Sequence, residues 1–418
     1  MKPQKVLHLF FCFCFFISSS ISTAATTQRL GTLDSILEKA AQNSLTVKKA
    51  DSKITEMSDN LDLARSNYYP NLSVVTSGYS HQVLLNQKIY DGGNTFASVD
   101  LYKSQKQAAQ WDKKKENESL RDRVVEAYYD GLFTLQQKSL LDNNAKLVAE
   151  AVAAAEKQVK FRAIGRDTLL RVRVEYRKGQ ANVLQAKNSV ELAERRLILL
   201  LRDPDFSLSS LSERMEFRLL PKPIDRSKAN TAEEIFENSP TMQWLHTNES
   251  ILEAQKSLDL SSERPQFSFI ASYGDSQTAP PMTVNYVYQP GFNVGLQLTL
   301  PLFSGFSSFA RKRVYGEKKY QLSQDLQNER SNFSFEIRRR IDNLQQDWSD
   351  LQMIRKEITA SEEVFREIDR TYHYGLASPE LWFQSRAALE TWSLRELQKL
   401  RDYWVGHQKL TDLLKANE

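Results

Sequence analysis

The side chains that could do chemistry in this sequence are few and scattered. Proton transfer near neutral pH would fall to histidine, and there are five: His8, His81, His246, His373 and His407. They form no cluster, and His8 lies in an N-terminal segment expected to be removed. His373 could titrate as a pH-sensitive group, although a solvated turn residue is the plainer reading. There is no glycine-rich phosphate loop, no serine in a nucleophile elbow and no paired-cysteine metal spacing. The basic runs Lys113–Lys115 and Arg338–Arg340 could attract anionic partners, but acids stand close to both, which suits a solvated helix face. A formal charge of +4 over 418 residues is too small for a nucleic-acid footprint. No enzyme activity, cofactor or metal is expected.

If the residues carry no reaction, the function must lie in the elements. Lys2 and Lys5 precede an apolar run from Val6 to Ile17, followed by "SSSISTAAT" with Ser22 and Ala24 at signal-peptidase spacing. The run is short of the roughly 20 residues that a spanning helix needs, so residues 1–25 read as an export signal cleaved near Ala24 or Ala25. The only cysteines, Cys12 and Cys14, fall inside it, and the mature chain would hold no disulfide. Hydropathy is negative overall, so no long membrane-spanning helix is expected.

The remainder is duplicated. "NSLTVKKADSKITEMSDNLDLARSNYYPNLSV" from Asn43 aligns without a gap on "NSPTMQWLHTNESILEAQKSLDLSSERPQFSF" from Asn238, an offset of 195. "QKIYDGG" from Gln87 matches "TLPLFSGF" from Thr299, pairing Gly92 with Gly305 at an offset of 213. Each half then shows a very long helix, a glycine turn at Gly165 or Gly375, and another helix. The first repeat spans 26–203, a linker 204–230 and the second repeat 231–418. Within the long helices apolar residues recur at threes and fours: Leu141, Ala145, Val148, Val152, Ala155 and Val159, and Ile341, Leu344, Trp348, Leu351, Ile358, Phe365, Ile368 and Tyr372. That is coiled-coil periodicity. One helix from Asn94 to Ile164 would run about 105 Å.

Four strands are expected, at 71–79, 83–90, 266–274 and 292–303, with Ser80–Gln82 turning the first pair and a long loop, Asp275–Gly291, the second. "GFNVGLQLTLPLF" places a large apolar residue at every second position. Each strand approaches the roughly 9–11 residues of a tilted membrane strand, with Tyr79, Tyr90, Tyr286, Tyr288 and Phe303 at the ends as an aromatic girdle. The lipid-facing set would be Leu72, Val74, Val83, Leu85, Phe267, Phe269, Phe292, Val294, Leu296, Leu298 and Leu300. Gln87 breaks that pattern, because it falls on the face that Leu300 occupies in the second copy. Four strands cannot close a barrel, and open edges are not tolerated in lipid. Several chains would have to combine their strands. The competing expectation is a secreted or periplasmic coiled-coil structural or adhesive protein with a small soluble sheet.

Taken in order and twice over, "ARSNYYPNLSV", "QKIYDGG", "LPLFSGF" and the glycine turns resemble the TolC-type outer-membrane efflux and secretion proteins over about 32–415. The resemblance implies a homotrimer with a twelve-stranded barrel in the outer membrane of a Gram-negative bacterium and a long α-helical periplasmic tunnel. It implies a passive duct of a tripartite efflux pump or type I secretion system, with a periplasmic adaptor protein and an inner-membrane transporter as partners. Carried over, the periplasmic tip where the adaptor docks comprises Phe161, Ile164, Gly165, Arg166, Thr168, Tyr372, Tyr374, Gly375, Leu376 and Ser378. The glycines would supply left-handed or close-approach turns, and Thr168 or Ser378 would cap the next helix, with Pro379 at its first position. The first tip reads one residue longer between its aromatic and its glycine. The aspartate that the family often carries past the glycine is replaced here by Leu170-Arg171 and Leu381-Trp382, with Asp167 and Glu380 nearby.

Overall fold

A computed structural model describes residues 32–77, 80–211, 216–219, 232–276 and 289–415. The expected signal, Tyr79, Tyr286, Tyr288 and most of the linker lie outside these residues. The first repeat runs α1 (Leu33–Asn43), α2 (Leu45–Ser66), β1 (Asn71–Ser77), β2 (Ser80–Asp91), α3 (Asn94–Lys160) and α4 (Arg166–Leu201). The second runs α5 (Ala232–Asn238), α6 (Pro240–Ser261), β3 (Gln266–Ser276), β4 (Gln289–Thr299), α7 (Ser307–His373) and α8 (Pro379–Lys415).

The duplication is visible in the caps. Ser44 and Ser239, 195 apart, break the first helix of each repeat and accept from Val47 N (3.4 Å) and Met242 N (3.2 Å). Helices α2 and α6 each have 22 residues and stop short of Pro70 and Pro265. Helices α3 and α7 each have 67 residues, about 100 Å of rod at 1.5 Å per residue. Asp91 opens α3 by accepting from Thr95 N at 2.8 Å. Helix α3 packs on α2 and α6 toward the sheet and on α4 and α8 at the far end. No described helix is long and apolar enough to cross a membrane.

The core sits midway along the rods. Tyr128, Leu132, Leu197, Leu201, Ile337, Ile341, Leu351, Leu400 and Tyr403 are buried there. Tyr129 stacks on Trp404 with ring centroids 6.3 Å apart and on Phe217 at 6.5 Å. Phe206, Leu208, Leu211 and Phe217 belong to this core, so the described part of the expected linker is packed structure. Ion pairs Arg401–Asp130 (2.7 Å), Lys409–Glu126 (2.5 Å) and Arg121–Asp412 (2.5 Å) tie α8 to α3 around it. The basic runs are solvated as expected: Lys113 pairs with Asp51 at 2.6 Å, and Arg339 and Arg340 pair with Glu336.

Three boundaries differ from expectation. Ser80–Gln82 is strand, paired with Val75–Ser77. Strand β4 begins at Gln289 and ends at Thr299, leaving Leu300–Phe303 outside the ladder, because Pro301 has no N–H to donate. Helix α3 stops at Lys160 rather than Ile164, because Arg162 takes a left-handed φ of 60°.

Candidate functional site

Two regions qualify: the sheet and the tip of the rods. The sheet is antiparallel throughout, in the order β1-β2-β3-β4, so among the described residues β1 and β4 each keep an unpaired outer edge. Its register gathers the expected apolar residues on one face. Leu72 pairs with Leu85, Val74 with Val83, Val83 with Tyr273, Phe267 with Leu298, Phe269 with Leu296, Ala271 with Val294, and Tyr273 with Phe292. A bulge between Lys88 and Tyr90 turns Tyr90 instead of Ile89 onto that face, opposite Phe267. The other face carries Ser73, Asn86, Lys88, Ser268, Ser272, Gln297 and Thr299. Leu72, Val74, Val83, Phe292, Val294, Leu296 and Leu298 are exposed; Leu85, Phe267 and Phe269 are half-buried. No described helix covers the face. Leu300 lies one residue beyond the strand, exposed but outside the ladder. Gln87 does intrude on the apolar face, but its amide is occupied, donating to Tyr68 O at 3.1 Å and Lys88 O at 3.0 Å.

At the tip the boundaries of the two helical hairpins coincide at the offset of 213: α3 and α7 end at Lys160 and His373, and α4 and α8 begin at Arg166 and Pro379. Phe161 and Tyr374 end the long helices with φ, ψ of −86°, 6° and −85°, 2°. Arg162 (φ 60°) then corresponds to Gly375 (φ 73°), and Gly165 to Ser378. The two turns are equal in length, 161–165 and 374–378; the extra spacing arises because Gly165 is not the counterpart of Gly375. The left-handed residue of the first tip is therefore Arg162; Gly165 is extended (φ −74°, ψ 160°), although a Cβ there would stand 2.3 Å from Asp167 Oδ1. Ser378 caps α8 through Leu381 N at 3.2 Å. Thr168 lies inside the first turn of α4 and is not the cap, because Gly165 holds that position.

Tyr372 is buried, so it is an internal strut and not a docking residue. Its hydroxyl donates to Ala151 O at 3.1 Å, joining α7 to α3, and burial pushes its phenol upward. Phe161, Gly165, Arg166, Tyr374, Gly375, Leu376 and Ser378 are exposed; Ile164 and Thr168 are half-buried. Arg171 pairs with Glu380 at 2.6 Å, joining α4 to α8. His373 is exposed, 3.7 Å from Asp369.

Sequence reasoning missed the packing behind these residues. Trp382 is buried between Tyr372 and Phe365 and donates from Nε1 to Asp369 Oδ1 at 2.6 Å. Asn144 donates to Glu390 Oε2 at 2.7 Å. Arg386 lies 5.1 Å over the Phe365 ring; burial pulls its guanidinium pKa down while Glu390 and Asp369 oppose the shift. The one signal was Asn144 itself, a polar residue three places after Leu141 on the apolar stripe.

Residues 36–201 match the outer membrane efflux protein family. No curated protein sequence matches the chain. Among solved structures, a membrane protein from Pseudomonas aeruginosa aligns with a TM-score of 0.77 at 14% identity, covering 91% of this chain and 92% of that one. The Campylobacter jejuni CmeC outer membrane channel aligns at 0.74 and 13% identity, covering 92% and 86%. The open state of the Neisseria gonorrhoeae MtrE outer membrane channel aligns at 0.72 and 16% identity, covering 92% and 88%. The resemblance read from the residues therefore holds: the chain carries the outer membrane efflux family signature over residues 36–201 and has the fold of these outer-membrane channels over at least 91% of its length.

Proposed function

We propose that this chain is one subunit of a homotrimeric outer-membrane channel in a Gram-negative bacterium, a passive exit duct for a tripartite efflux pump or type I secretion system. The observation that carries it is the sheet. Four strands expose one apolar face, interrupted at Gln87, and among the described residues leave two edges unpaired, which water disfavours and lipid forbids. Three copies joined edge to edge satisfy both requirements with a twelve-stranded barrel. The rods support the same reading. Leu170, Val174, Leu184, Leu192 and Leu199 form an exposed stripe on α4, opposite the face that buries Val172, Ala186, Ala193 and Leu197. A helix apolar on two opposite faces has a second neighbour.

In this reading the α-helical tunnel stands in the periplasm and its tip meets an adaptor protein, which links it to an inner-membrane transporter. Phe161, Tyr374 and Leu376 are the exposed apolar residues there, and the polar rim around them is Arg166, Arg171 and Glu380. The duct does no chemistry; the partner supplies energy. The competing soluble protein would need a cover for the sheet, and the helices next to it are committed to one another. The test is fractionation followed by conductance. A heat-modifiable trimer in the detergent-extracted outer membrane that forms pores in planar bilayers is expected. A water-soluble monomer without conductance refutes the proposal.

A further inference from the structure

The junction between β4 and α7 carries a surface that the sheet alone does not explain. Beyond Leu298 the apolar run continues through Leu300, Leu302 and Phe303, all exposed, Leu302 at 93%. Phe303 meets Phe306 edge-on at 5.4 Å, and Phe306 lies 6.4 Å from Phe309. Phe306 has a φ of 63°, a left-handed conformation that bulky residues enter only at a cost. Its counterpart 213 residues earlier is Gly93, at 83°, which enters freely. A strained, exposed phenyl ring where the other repeat keeps glycine calls for something outside the chain for the ring to touch.

Charge is the second observation. Arg311, Lys312 and Arg313 follow, where the first repeat has Ser98, Val99 and Asp100. Arg311 turns onto α6, donating to Asp259 O at 2.7 Å and pairing with Glu263 at 3.7 Å, and the Tyr315 hydroxyl donates to the Asp259 carboxylate. Lys312 and Arg313 come three and four residues after Phe309 and share its face, away from α6. Both are exposed, and among the described residues neither has an ion-pair partner. Going down the junction, the order is aliphatic, aromatic, cationic, with the cations about one 5.4 Å turn past the last ring. A bilayer presents hydrocarbon, interface and phosphate in that order.

We propose that this junction is a membrane-interface anchor: Phe303, Phe306 and Phe309 lie at headgroup level on the periplasmic side, and Lys312 and Arg313 bind the phosphate of an anionic phospholipid of the phosphatidylglycerol type. The inference rests on the channel reading, which places the apolar sheet face in lipid. Full-length trimer is placed in detergent, in nanodiscs of phosphatidylcholine, and in nanodiscs of an equal mixture with phosphatidylglycerol. The temperature of trimer dissociation is read in each. Phosphatidylglycerol should raise it for the wild type and leave the double variant Lys312→Gln/Arg313→Gln unmoved. Phe306→Gly, relieved of its backbone strain, should hold in detergent at least as well as the wild type yet gain less from the anionic lipid. A double variant that responds to phosphatidylglycerol as the wild type does overturns the anchor. So does a loss equal in detergent and both lipids, which would make this face a contact with a neighbouring copy. Failure of the wild type to form any membrane trimer shows before a variant is compared, and defeats the channel reading and the anchor together.

Discussion

Two adjacent residues of β4 offer a sharp test of which face meets lipid. Val294 is the middle residue of the strand, pairs with Ala271 on the apolar face and is 54% exposed. Gly295 pairs with Ile270 on the other face, and a Cβ there would meet nothing within 4 Å. Arginine on the lipid face of a barrel costs about 2–4 kcal/mol at the bilayer midplane, whereas a lumen position tolerates it. In a trimer each substitution occurs three times, so Val294→Arg should cost about 6–12 kcal/mol per barrel. That is comparable to the roughly 5–15 kcal/mol that stabilises a whole domain. Gly295→Arg should assemble almost normally. The assay is the yield of heat-modifiable trimer in the outer membrane, with urea midpoints of the purified variants in lipid. The reasoning is refuted if Val294→Arg assembles like the wild type, which a sheet wetted on both faces would allow, or if Gly295→Arg is the worse of the two.

Other substitutions read other parts. Gly274 has a φ of 134°, and a Cβ would stand 2.1 Å from His81 O, whereas its register partner Gly291 has open space; Gly274→Ala should cost about 1–3 kcal/mol or more and lower trimer yield, while Gly291→Ala should not. At the tip, Trp382→Ala should cost about 3–5 kcal/mol and Tyr372→Phe about 1 kcal/mol, and limited trypsin digestion near Arg162 and Arg166 should accelerate in the same order. Asp122 on α3 has its pKa raised by burial, with Glu126 and Asp412 adding to the rise and Lys409 and Arg340 opposing it. A carboxyl raised in the folded state favours folding when protonated and loses that contribution as pH rises through its folded pKa. Asp122→Asn should therefore melt higher than the wild type at neutral pH, with the gap closing below about pH 4, the ordinary aspartate range; a gap that widens on acidification contradicts the assignment.

The sheet was legible because its signal has a period of two and survives without knowledge of the partner strand. Phe292, Val294, Leu296 and Leu298 had to share a face. Its lower boundary was not legible, because Leu300 and Leu302 continue the alternation after Pro301 has already ended the ladder. The rods were legible from their threes and fours. Their polar struts were not: Asp369–Trp382 joins the two arms of one hairpin across its turn, and Asn144–Glu390 joins helices of different hairpins, pairings that no local pattern encodes. Tyr372 shows the same limit from the other side. It ends the apolar stripe of α7 and also stands next to the turn, so the sequence offered both a packed and a docking role, and the approach of α3 decides for the packed one, against Ala151.

The glycines are the most instructive misreading. Gly165 and Gly375 look like counterparts because both stand in turns between long helices, yet the structure pairs Gly375 with Arg162 and Gly165 with Ser378. Left-handed residues mark each repeat at three equivalent places: Gly92 and Gly305, Gly93 and Phe306, Arg162 and Gly375. The backbone conformation is shared at all three, and the residue type at only one. Gly92 is forced, since a Cβ would stand 2.4 Å from Ser261 O, whereas Gly305 has open space. At the other two places one repeat keeps glycine and the other bears a large exposed side chain at a cost of about 1–2 kcal/mol. The duplicated scaffold therefore dictates where the chain must turn left. At these paired places the departures from glycine are Phe306, beside the sheet, and Arg162, in the turn at the far end of the rods, and both side chains are exposed.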